Sequence, residues 1–172
     1  MDDKRTAILA EIPHLRRYAR ALMRNRDAAD DLVQDSLERA LSRIDNWRSG
    51  ETPRRWLFTI MHHLFIDQTR RARRRTESAE VPIDAAHQLS TPAAQMDGIA
   101  SQEILDALQA IGPERRAALV LVGIEGFSYA EAAAMLGIPT GTLMSRISRG
   151  REELRARLDD GARRRTIRVV QP

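Results

Sequence analysis

Hydrophobic positions in this chain recur every three or four residues wherever a pattern is visible, and alternating β-branched runs are nearly missing apart from the terminal IRVV. The pattern predicts an all-α protein. Ile8, Ile12, Leu15, Ala19 and Leu22 form one apolar stripe. A second helix is expected to open after Asp27, whose carboxylate suits an N-cap, with Leu32, Val33, Leu37, Leu41 and Ile44 facing in. A third begins near Thr52 and Pro53, since proline favours the first helical turn. It carries Trp56, Leu57, Ile60, Met61, Leu64 and Phe65 and runs into arginines at 70, 71, 73, 74 and 75. From Thr76 to Gln95 the periodicity fades and Ser78, Pro82, Ser90, Thr91 and Pro92 appear, the composition of a flexible linker.

The chain is therefore expected to form two small helical domains, 1–75 and 98–160, joined by a linker over 76–97 and followed by a loose basic tail over 161–172. The second domain opens with Ile104, Leu105, Leu108 and Ile111, and Gly112 with Pro113 stops one helix and starts the next. After the short apolar run AALVLVGI comes FSYAEAAAMLGIPTGTLMSRISRGREELRARL, which reads as helix, three-residue turn and helix. Ser128 is placed to cap the first of these helices, and Thr140 can cap the second. Ala133, Gly137 and Leu143 supply a small residue for close crossing, a residue tolerant of positive φ, and an apolar anchor. In the second helix Leu143, Ile147, Leu154 and Leu158 face inward, leaving Thr142, Ser145, Arg146, Arg149 and Arg151 outward. That outer face suits a DNA groove, although an ordinary amphipathic hairpin with solvated arginines would show the same spacing.

Lys+Arg 28 against Asp+Glu 24 gives a net charge of only +4, so the basic character is local rather than global. Cysteine is absent, which excludes disulfides and thiolate metal sites and fits a reducing compartment. The opening MDDKRTAILAEI lacks the apolar core of a signal peptide, and no later run approaches the roughly 18 apolar residues of a membrane span. A cytoplasmic protein without membrane insertion is expected. Enzyme signatures are weak: adjacent His62 and His63 point about 100° apart on a helix and do not make a metal pair. There is no glycine-rich phosphate loop and no nucleophile elbow, so no cofactor, metal or catalytic residue is expected.

Two surfaces stand out. Asp27, Asp30, Asp31, Asp35 and Glu38 lie mainly opposite Val33, Leu37 and Leu41 on the second helix, either as a solvated face favoured by the helix dipole or as a docking surface for a basic partner. On the third helix Trp56, Ile60, His63 and Asp67 fall on one line. That line is either a core tryptophan with a surface histidine, or a surface that stacks on unpaired bases while the neighbouring arginines track phosphates. Trp47, Arg48, Ser49, Gly50 and Glu51 precede it and suit the rim of a base pocket.

Taken in series, DDLVQDSLERAL, PRRWLFTIMHHLFIDQTRR and GFSYAEAAAMLGIPTGTLMSRISRGREELR resemble an extracytoplasmic-function (ECF) sigma factor of the sigma-70 family, in the family's order and spacing from about Ile12 to Leu158. The resemblance implies a promoter-specificity subunit of RNA polymerase. Its first domain would melt and read the minus-10 element and its second would read the minus-35 element, while the core enzyme, contacted through the β' clamp and β flap, supplies catalysis. Residue by residue it assigns Asp31, Leu32, Gln34 and Asp35 to the clamp. It assigns Trp47, Arg48, Ser49, Trp56, His63, Asp67, Arg70 and Arg71 to minus-10 DNA, and Thr142, Met144, Ser145, Arg146, Ser148 and Arg149 to minus-35 DNA. The family commonly has arginine at Met144 and asparagine at His63, which implies an altered promoter preference. The chain also resembles the general-stress subgroup, whose members anti-sigma proteins silence by wrapping both domains. The rival reading is a stand-alone helix-turn-helix regulator, which would bind duplex DNA without core polymerase.

Overall fold

The computed structural model describes the backbone of residues 2–48, 50–78 and 96–169 and the side chains of 3–48, 50–77 and 102–160. Among the described residues the secondary structure is entirely helical. The first lobe comprises α1 (Asp2–Ala10), α2 (Ile12–Leu22), α3 (Arg26–Leu41), a 3₁₀ turn (Ile44–Asn46) and α4 (Pro53–Ser78). The stripe from Ile8 to Leu22 is shared by two helices rather than one. Pro13 lacks the N–H that a continuous helix would bond to the Leu9 carbonyl, so it sits in the first turn of a new helix. Ile8, Leu15, Ala19 and Leu22 are nevertheless all buried.

The cap of α3 is Asn25, not Asp27: the Ala28 N–H donates to the Asn25 side chain at 2.7 Å, and Asp27 falls in the first turn, where its charge suits the dipole. Leu41, expected inside, is 46% exposed because it ends the helix. Helix α4 begins at Pro53 as expected and continues past the arginine run to Ser78. The expected linker is therefore helical at both ends, and its middle, 79–95, lies outside the described residues.

The second lobe comprises α5 (Met96–Gln109), α6 (Pro113–Gly123), α7 (Tyr129–Leu136) and α8 (Thr140–Val169). Ser128 and Glu131 form a reciprocal capping box, with Glu131 N–H donating to Ser128 Oγ at 3.2 Å and Ser128 N–H to Glu131 Oε2 at 2.9 Å. Gly137 ends α7 at φ 64°, a conformation that favours glycine, and α8 opens on Thr140 itself. The tail expected to be loose continues α8 as far as Val169.

Gly150 lets α8 lie against α6: a Cβ there would come within 2.8 Å of Leu119 Cδ1 and 3.0 Å of its Cγ. Gly150→Val is therefore expected to destabilise the protein by about 1–3 kcal/mol, measured by thermal unfolding, because a branched side chain must displace a packed leucine.

The lobes are not separate bodies. Helix α2 packs on α5 and α6, and α4 on α6 and α7. The core is continuous across the boundary: Tyr18 stacks on Phe58 at 5.0 Å between ring centroids, and Phe58 meets Phe127 of the second lobe edge-on at 5.3 Å.

Candidate nucleic-acid interface

Helix α8 turns most of its expected outer positions to solvent. Thr142, Met144, Ser145, Ser148 and Arg149 are exposed, on a helix held from behind by the fully buried Leu143 and Ile147. Arg146 is less free, because its Nη2 pairs with Glu114 at 2.8 Å and its side chain is 25% exposed. The Ser145 hydroxyl donates to Gly141 O at 3.0 Å, leaving its lone pairs outward.

The minus-10 set divides. Trp56 is half-buried and stacks nearly parallel on Trp47 at 5.8 Å, while Trp47 Nε1 donates to the Glu51 carbonyl at 2.8 Å. Lys4 closes the same loop from α1, donating to the carbonyls of Ile44 at 3.2 Å and Trp47 at 3.4 Å. The tryptophans therefore shape the rim, whereas Arg48, His63, Asp67, Arg70 and Arg71 are open to solvent. Ser49 lies outside the described residues. Along the line through Trp56 and His63 the tryptophan is half-buried against Trp47, and the histidine, two turns on, is exposed.

On α3, Asp31, Gln34 and Asp35 are exposed and line a shallow cleft of about 310 Å3, where the Gln68 amide donates to Asp35 at 3.4 Å. Leu32, assigned with them to a partner, has 0% exposure. Periodicity turns it into the core, where it packs behind the acidic face.

The structure adds buried polar groups that the sequence did not flag. Glu125, between α6 and α7, has 0% side-chain exposure and lies against Arg17 and Arg54 of the first lobe. Arg116 on α6 donates to the carbonyls of Leu22, Gln109 and Ile111 and to the Gln109 side chain, and Gln109 donates to the carbonyls of Ala21 at 2.9 Å and Met23 at 2.8 Å. Together Arg116 and Gln109 satisfy the C-terminal carbonyls of α2 from across the lobe boundary. Burial, helped by the nearby charge of Arg24, pushes Arg116 down to about 10, still cationic at neutral pH. His62, on the buried side of α4, is lowered to about 4, first by burial and then by the charges of His63, Arg146 and Arg70. The available signal was weak: an acid in the turn IEGF, and an arginine whose register falls on the apolar face of α6.

Residues 8–62 match the family model for the sigma-2 domain of PhyR, and residues 101–154 match that for sigma-70 region 4. The ECF RNA polymerase sigma factor EcfG of Rhodopseudomonas palustris is 43% identical over 162 residues, covering 94% of this chain and 88% of that protein. Among solved structures, the sigma factor RpoE of Bartonella quintana, in complex with the anti-sigma factor NepR, superposes with a TM-score of 0.74 at 33% identity. That match covers 92% of this chain and 98% of the other. CnrH, in complex with the cytosolic domain of CnrY, gives a TM-score of 0.66 at 26% identity, covering 91% and 88%.

Two helical domains, one carrying acids on a free helix face and the other a DNA-reading helix-turn-helix, define a transcription factor of the sigma-70 type. The chain belongs to the ECF RNA polymerase sigma factors. A stand-alone regulator would not account for the match over the first lobe.

Proposed function

We propose that this sigma factor works through three separate surfaces: the acidic face of α3 for the β' clamp, the exposed polar and basic positions of α4 with its preceding loop for melted minus-10 DNA, and the outer face of α8 for the minus-35 duplex. It has no catalysis of its own, acts in the cytoplasm within a stress response, and is silenced by an anti-sigma protein, as its likeness to the NepR-bound RpoE suggests. No helix among the described residues is long and apolar enough to cross a membrane. The observation that carries the reading is the division of charge: Asp31 and Asp35 are exposed on α3, while Arg149 is exposed on α8.

In-vitro transcription with core polymerase on a promoter library tests the whole reading, and failure to support any initiation overturns it. Within that assay, the double variant Asp31→Lys/Asp35→Lys is expected to lose competition for core while keeping its helical circular dichroism, because exposed acids contribute little to folding yet steer association. Normal competition would remove these residues from the core-binding surface. Arg149→Ala is expected to weaken minus-35 recognition by about 1–3 kcal/mol if its guanidinium forks onto a guanine. An equal loss on all sequences, with the salt slope reduced by about one, would identify a phosphate contact instead.

A further inference from the structure

Between the lobes a cleft of about 700 Å3 is walled on one side by Thr69, Arg70 and Arg73 of α4 and on the other by Thr142, Ser145 and Arg149 of α8. In this arrangement Arg70, from the surface assigned to minus-10 DNA, shares one cleft with Thr142, Ser145 and Arg149, from the surface assigned to minus-35 DNA. The promoter positions they are named for lie about 25 base pairs apart, or about 85 Å of duplex at roughly 3.4 Å per base pair. The arrangement seen here cannot place both surfaces on one promoter, so it is a closed form.

A buried charge cluster joins the shared aromatic core and the Arg116 and Gln109 hydrogen bonds in holding it closed. Arg17 Nε and Nη2 fork onto the Glu125 carboxylate at 2.7 and 2.9 Å, and Arg54 Nη2 donates to the same carboxylate at 2.8 Å and to the Glu125 carbonyl at 2.9 Å. His14 Nδ1 stands 3.7 Å away. The Arg54 guanidinium also lies 5.8 Å from the Phe58 ring and 5.2 Å from the Phe127 ring, the two aromatics that meet across the boundary. Arg17, His14 and Arg54 belong to the first lobe; Glu125 sits in the loop that enters the helix-turn-helix. A carboxylate taken fully out of water is tolerated only while it is paired and hydrogen-bonded. In an open form the same carboxylate would be solvated, so loss of its arginine partners penalises the closed form and not the lobes themselves.

We propose that Glu125, clamped by Arg17 and Arg54, is an intramolecular latch that keeps the free protein closed and its recognition helix off DNA. The inference rests on the assignment of α8 to promoter DNA. The acids of α3 lie outside the latch and remain exposed in the closed form, so core polymerase can dock on Asp31 and Asp35 first and the second lobe be released afterwards.

The chain contains no cysteine, so spin labels on Ser42→Cys and Arg157→Cys, exposed positions in opposite lobes, report the interlobe distance without background. Glu125→Arg places a third cation against Arg17 and Arg54, and Arg17→Ala/Arg54→Ala strips the carboxylate of its partners. Either variant should retain its helical circular dichroism. Each should replace a narrow short-distance distribution by a broad longer one, and each should raise the affinity of the protein without core for a fluorescein-labelled duplex of random sequence by about tenfold at low salt. If one variant fails to fold, the other still decides. Unchanged distance distributions overturn the latch, whatever the DNA affinity does. Longer distances without a gain in DNA binding uphold the latch and instead remove α8 from the DNA surface.

Discussion

Arg116→Leu is expected to lower folding stability by about 3–5 kcal/mol, the largest effect of any substitution argued for this chain. The Leu22, Gln109 and Ile111 carbonyls all accept from this one guanidinium, and each marks a place where a helix or its continuation runs out of internal donors. A buried carbonyl left without a donor costs about 1–3 kcal/mol. Three such losses exceed the relief gained from no longer burying the cation, a relief visible in the lowering of Arg116 to about 10. Arg115→Leu is the control: that side chain is 38% exposed and pairs with Glu153, also 38% exposed, so its loss should stay below about 1 kcal/mol. Denaturant unfolding of both variants separates the cases. A loss under 1 kcal/mol for Arg116→Leu would show that water replaces the guanidinium at those carbonyls.

Elements governed by local chemistry were legible in the amino-acid sequence, and those governed by distant partners were not. The helix-turn-helix rests on Ser128 with Glu131, on Gly137 and on Leu143, all within sixteen residues, so spacing alone located it. Pro13 marks where the first stripe divides into two helices, but the hydrophobic periodicity runs on through it and hides the break. Glu125 is the opposite case. Between Ile124 and Gly126 an acid reads as a solvated turn, and only arginines 108 and 71 positions away make its burial possible. Leu32 shows two signals in conflict: its periodicity faced it inward while the family resemblance placed it on a partner surface. The buried position follows the periodicity. Arginines 163–165 suggested a solvated tail, yet a repulsive run still remains helical where it extends an existing helix, since propagation adds one hydrogen bond per residue without a new nucleus.

His62 is expected to make the protein lose about 3 kcal/mol of stability as pH falls from above 6.5 to below 4. The ring is buried, its Nδ1 has no hydrogen-bond partner, and the charges around it, His63 and Arg70 on its own helix and Arg146 from α8, disfavour a further cation. Its folded value of about 4 lies below the unfolded 6.5, so the unfolded chain takes up the proton first. Above 6.5 neither state is protonated and there is no penalty. Between 6.5 and 4 the unfolded state gains about 1.4 kcal/mol per pH unit, and below 4 both states are protonated and the loss levels off. Carboxylates titrate in part of the same window, so the measurement is the difference between two proteins across it. In His62→Leu the apolar side chain leaves no unpaired ring nitrogen, so stability at neutral pH should be nearly unchanged, and the decline between 6.5 and 4 should be shallower by about 3 kcal/mol in total. Parallel curves for wild type and His62→Leu would mean that the ring accepts its proton without leaving the folded state, through water reaching Nδ1 from the cleft lined by Arg70 and Arg146.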